Sequence, residues 1–203
     1  MTSSKQHGFS LLELMIVLAL MLTVAAISFI SLQPILQQSH VTSAYDLTLM
    51  AFRNYHDLAI TQRKRYIVTM TAPGTITVSR WDFALPASPP PVVVNTITLP
   101  QDVTFSTQAG YPATPATVPD GFGAGVVALD FDQGMGLGSQ NYVMFMPDGS
   151  SQDNLGNLNS GVLYMGRPND LYSSRSVSVF GATGRIRGWR LNRVAGVNTW
   201  VQQ

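Results

Sequence analysis

The residues able to do chemistry are few and unevenly placed. Glu13 is the only glutamate in 203 residues, the three histidines (His7, His40 and His56) all precede residue 60, lysine stops at Lys64, and cysteine is absent. Beyond Tyr66 the titratable side chains are Asp, Arg and Tyr alone. General acid–base catalysis near neutral pH draws on His or a tuned Glu or Lys, and an activated serine needs a base beside it. This stretch therefore lacks a catalytic constellation, and the expectation is a protein that is not an enzyme and takes no cofactor. Without cysteine, disulfides, thiol nucleophiles and Cys-ligated metals are excluded.

Two clusters remain to be weighed. Asp130-Phe131-Asp132-Gln133-Gly134 offers hard oxygen ligands and a glycine turn, as calcium requires. The EF-hand order with its distal Glu is not met, and Asp and Gly are ordinary turn residues, so no metal site is expected. Asp148-Gly149 reads as a hairpin turn. The second cluster is cationic. Residues 81 to 166 carry seven Asp and no Lys or Arg, whereas the end holds Arg167, Arg175, Arg185, Arg187, Arg190 and Arg193 against Asp170. On one strand, Arg185, Arg187 and Trp189 would share a face at the two-residue period. Arginine forks suit phosphate and an aromatic can stack on a base, so these three with Arg190 form a candidate DNA-binding set. The competing reading is a solvated face or a contact with Asp-rich loops of another subunit. Bulk charge does not decide it, because the formal net charge is +1 and only 11% of residues are charged.

These groups must be positioned by an anchor and one head, since the chain is too short for two ordinary domains and an extension. Phe9 to Ile30 is apolar except at Glu13 and would rise about 33 Å as a helix, against a hydrocarbon core of roughly 30 Å. Lys5 before it places the N-terminus in the cytoplasm and the head outside. A secretory signal with Val24-Ala25-Ala26 as its cut site is the alternative. Against that stand the length of the apolar run and its carboxylate, which within a span needs a partner.

Gly8-Phe9-Ser10-Leu11-Leu12-Glu13-Leu14-Met15-Ile16-Val17-Leu18 resembles the processing motif of type IV prepilins and type II secretion pseudopilins. The resemblance implies a leader of residues 1–8, cleavage between Gly8 and Phe9 by prepilin peptidase, and methylation of the new Phe9 amine. It also implies assembly with other pilin or pseudopilin subunits from the bacterial inner membrane, with Glu13 neutralised by the Phe9 ammonium of a neighbour, since an unpaired buried charge is costly.

Pro34 should kink the helix without stopping it. Residues 9–33 form the membrane half of the helix and 34–65 an amphipathic half. In the latter, Val41, Tyr45, Thr48, Phe52, Tyr55 and Ala59 fall at three- and four-residue steps. His40 and His56 are expected in solvent, and Arg63-Lys64-Arg65 at the helix end, where cations meet the macrodipole. Residues 66–203 should form a β-rich head. A hairpin runs from Tyr66–Met70 through Pro73-Gly74 to Thr75–Ser79, with further strands at 92–99, 103–107, 126–131 and 142–146. The proline-rich 84–91 and the glycine-rich 111–125 and 133–140 are expected to be surface loops.

Tyr142-Val-Met-Phe145-Met-Pro147-Asp148-Gly149 and the stretch Ser174 to Arg187 are similar to the closing strands of the GspH/FimT family of minor pilins and pseudopilins. The fold implied is α+β and pilin-like: a long N-terminal transmembrane and amphipathic helix packed on an antiparallel β-sheet head. The function implied is a structural subunit of a type IV pilus or type II secretion pseudopilus. Gly184-Arg185-Ile186-Arg187 is similar to a Gly-Arg-x-Arg motif linked to DNA binding in some members, which implies the alternative of a DNA-uptake pilin.

Overall fold

The computed structural model describes residues 10–81, 90–112, 117–132 and 140–203, the side chains of 29–34 excepted. The chain forms two compact units, Met1–Ser39 and His40–Gln203. One helix, α1 (Leu11–Gln62), contributes to both and continues past Pro34.

In the first unit, α1 opens with the Leu14 amide bonded to the Ser10 carbonyl at 3.1 Å. Leu11–Ser28 has a mean hydropathy of 2.5 and buries nothing within the protein, so it is long and apolar enough to cross a membrane. Its hydroxyls fit an apolar solvent. Thr23 Oγ1 donates to the Leu20 carbonyl at 2.8 Å and Ser28 Oγ to Val24 at 2.9 Å, leaving neither unpaired.

In the second unit the expected stripe of α1 is the buried one: Val41, Tyr45, Thr48, Phe52, Tyr55 and Ala59 all face the core. Phe52 meets Phe131 and Phe145 at ring-centroid distances of 6.5 and 6.0 Å. The helix stops at Gln62, three residues before the expected end. Arg63 adopts the left-handed conformation (φ 54°) and the Lys64 amide bonds back to the Ala59 carbonyl at 3.2 Å, a Schellman closure. Arg65 is already strand.

Eleven strands follow among the described residues, all antiparallel: β1 (Arg65–Thr71), β2 (Thr75–Trp81), β3 (Val92–Thr98), β4 (Thr104–Phe105), β5 (Leu129–Phe131), β6 (Tyr142–Phe145), β7 (Ser151–Gln152), β8 (Gly161–Gly166), β9 (Arg175–Phe180), β10 (Arg185–Val194) and β11 (Val197–Gln202). One sheet runs β3-β2-β1-β6-β7 and the other β11-β10-β9-β8-β4, with β5 also on β8. The fold is α+β, a long helix with antiparallel sheets. Residues 84–89 of the proline-rich expectation and 133–139 of the second glycine-rich one lie outside the described residues.

Every residue of β8 is buried. On one side Leu163 and Met165 join Val177 and Val179 in the core that includes α1; on the other Val162 and Tyr164 join Leu191 and Trp200. The second core is roofed by Tyr111, Phe122 and Leu171. Tyr111 and Phe122, from the segment 111–125 expected as a surface loop, thus form a packed lid, because a sheet with an apolar outer face must be covered; residues 113–116 of that segment lie outside the described residues.

Candidate functional site

Glu13 lies in the first turn of α1, where its charge complements the positive end of the helix dipole, and its neighbours Leu11, Leu12, Leu14 and Met15 are exposed. Gly8 and Phe9 lie outside the described residues.

The arginine strand has sharper geometry. β10 pairs with β9 so that Arg185 opposes Phe180, Arg187 opposes Ser178 and Arg190 opposes Arg175. Arg185, Arg187 and Trp189 alternate onto one face, as their spacing requires. Arg190 falls on the opposite face by the same two-residue rule, so the expected set of four is not brought together. The turn entering β10 is built around Gly184, at φ 58°, where an added Cβ would collide with the Gly149 carbonyl and His56. Glycine is therefore required there whatever the arginines do.

Asp120 meets the arginine face. It sits on a 3₁₀ turn (Pro119–Gly121) at φ 51°, with its side chain only 5% exposed. Arg187 Nη1 donates to its Oδ1 at 2.7 Å, and Arg185 Nη2 approaches the same oxygen at 3.5 Å. Ser178 Oγ donates to Asp120 Oδ2 at 2.6 Å and accepts from Trp189 Nε1 at 2.9 Å. Arg185 is the freer cation: it is 48% exposed, against 34% for Arg187, and its guanidinium lies 5.2 Å from the Phe180 ring centroid. Arg167 likewise approaches Asp102 at 3.5 Å and Asp170 at 3.4 Å. The acidic middle and basic end of the sequence thus partly neutralise one another across the fold.

The histidines separate. His40 is half exposed and Nδ1 contacts Asp102 Oδ1 at 2.9 Å. His56, expected in solvent, is largely buried: Nε2 donates to the Gly149 carbonyl at 3.0 Å and the ring stands edge-on to Phe145 at 5.4 Å. Asp148 closes the expected turn, and hydrogen bonds from the Ser150 hydroxyl and amide hold it below the usual carboxylate range.

Of the Asp130–Gly134 cluster, Gln133 and Gly134 lie outside the described residues. Asp132 is 3% exposed, neither carboxylate oxygen has a hydrogen-bond partner among the described residues, and burial, then Asp153, push it up. Burial would raise Asp153 too, but hydrogen bonds from Asn157, Leu155 and Gly156 outweigh it and hold it low. Among the described residues no three His, Cys, Asp or Glu side chains converge as metal ligands.

Comparison with known proteins bears on the N-terminus. Residues 3–29 match the family model described as the prokaryotic N-terminal methylation motif. A search of curated proteins returned no match. Among solved structures the chain is similar to the type IV minor pilin FimU of Pseudomonas aeruginosa, at 9% identity and a TM-score of 0.40, over 76% of this chain and 89% of that one. Residues 3–29 thus carry the N-terminal methylation motif of prepilin-like proteins.

Proposed function

We propose that the chain is a minor pilin or pseudopilin of the GspH/FimT type, a structural subunit of a type IV pilus or type II secretion pseudopilus. The observation that carries this reading is the union of a methylation motif over residues 3–29 with a helix whose Leu11–Ser28 stretch buries nothing in its own chain. Such a surface requires a bilayer and then other helices. Prepilin peptidase removes residues 1–8 after Gly8, and the Phe9 amine is methylated. The anchor of residues 9–33 holds the chain in the inner membrane, N-terminus inward, with the 34–65 helix and the 66–203 head in the periplasm. Within the filament, Glu13 receives the Phe9 ammonium of a neighbour. Glu13→Gln tests this directly: leader removal continues while incorporation into sheared filaments falls. Undiminished incorporation of the variant contradicts the role.

The DNA-uptake alternative rests on narrower ground. Arg185, half exposed beside the partly exposed Phe180 ring, can offer phosphate an open guanidinium and a base an aromatic face. Titrating DNA onto the full chain in detergent across a salt series reads it: binding that weakens with salt and is lost in Arg185→Ala supports uptake. No binding at low salt leaves the purely structural role.

A further inference from the structure

The opposite face of β10 carries a second cationic feature, independent of the DNA reading. Arg190 stands directly across from Arg175, placing two guanidinium-bearing side chains next to each other on the face turned toward α1. Like charges directly opposed in an antiparallel pair are destabilising unless something neutralises them. Arg175 is 3% exposed, and its Nη1 is spent on the carbonyls of Ser173 and Ser174, at 3.2 and 3.1 Å. Among the described residues neither arginine forms an ion pair, whereas Arg167, Arg185 and Arg187 all do. Asp46 and Asp170 are near enough to influence Arg175 without bonding it.

Two further donors lie on residues within electrostatic range of Arg175. Among the described residues, Arg190 Nε and the Tyr45 hydroxyl are both buried with no hydrogen-bond partner. The Tyr45 ring end lies against Gly188, where an added Cβ would collide with the hydroxyl. Burial raises Tyr45 further above neutrality, so its hydroxyl keeps its proton and can donate. Burial, and then Arg190, push Arg175 down to about 10, which still leaves it charged at neutral pH. Arg53 of α1 adds a third positive charge within electrostatic range of Tyr45.

We propose that Arg175, Arg190 and Tyr45 form an oxyanion-binding site for a phosphate group, free or carried on a lipid headgroup. Two cations and a hydroxyl donor match the tetrahedrally disposed oxygens of a phosphate group: inorganic phosphate brings between one and two negative charges and at least three acceptor oxygens, and a lipid phosphodiester one negative charge shared over two unbridged oxygens. Bound there, it replaces the repulsion between the arginines with two charge-assisted contacts and satisfies the orphaned donors.

The test is thermal unfolding of the full chain in neutral detergent, with inorganic phosphate replacing chloride at matched ionic strength. A parallel arm uses nanodiscs of phosphatidylglycerol against phosphatidylcholine. The variant is Arg190→Gln, chosen because Arg190 keeps part of its surface in solvent, and Arg193→Gln is the control for a nearby exposed cation. The expected result is a melting-temperature rise of several degrees in phosphate, kept in Arg193→Gln and lost in Arg190→Gln. A rise confined to the anionic nanodiscs and lost in the same variant assigns the group to lipid. No rise in either arm, or a rise that survives Arg190→Gln, overturns the site.

Discussion

Arg187 Nη1 donates to Asp120 Oδ1 at 2.7 Å across 67 residues of sequence, tying the lid segment to the arginine strand. The carboxylate is nearly buried and also accepts from Ser178, so its bonds to the sheet stand in for the water it has lost. Removing either partner strands polar groups that have already left water.

Asp120→Asn should therefore cost about 1–3 kcal/mol, read by chemical denaturation of the full chain in detergent. Because Asp120 and Arg187 touch, the double variant with Arg187→Ala should lose less than the two single losses combined. Strict additivity would show that the pair does not hold the lid.

Arg63 should tolerate glycine better than arginine. It ends α1 in the left-handed region at φ 54°, which costs a side-chain-bearing residue roughly 1–2 kcal/mol. Part of that returns as backbone entropy when glycine is freed in the unfolded chain. Arg63→Gly is expected to stabilise by a few tenths to about 1 kcal/mol, and a lower melting temperature would argue against the Schellman closure.

Asp148 gives a pH-dependent expectation. Bonds from Ser150 hold its folded-state pKa below the unfolded value of about 3.9. A depressed carboxylate contributes stability that is fully present above the unfolded pKa and is lost as pH falls through the folded one. The stability gap between wild type and Asp148→Asn should be constant from neutral pH down to about 4 and shrink below it. A gap unchanged at lower pH would mean that the loss comes from the altered turn rather than from the charge.

What the sequence made legible follows from the range of the interactions involved. The buried face of α1 could be read because Val41 to Ala59 repeats with the helical period, and β1 and β2 because they alternate around Pro73-Gly74. β8 could not, since Gly161–Gly166 is buried on both faces and a short continuous apolar run has no period to detect. β11 follows β10 through the tight turn at Ala195 and Gly196, both at positive φ, a signal that Gly196 alone could have supplied. The sharing of one face by Arg185, Arg187 and Trp189, and the separation of Arg190, both follow from strand period. Their capture by Asp120 does not, because nothing local in a sequence links partners 65 and 67 residues apart. The burial of His56 against Gly149 was hidden for the same reason, at a separation of 93 residues.

The central claim is that this chain is matured as a prepilin-like subunit, and mass spectrometry of its N-terminus tests that most directly. Recovered from cells that contain prepilin peptidase, the protein should begin at Phe9 with a methylated amine, and Gly8→Val should leave the leader attached. A chain still beginning at Met1, or one cut after Ala26, would contradict the account.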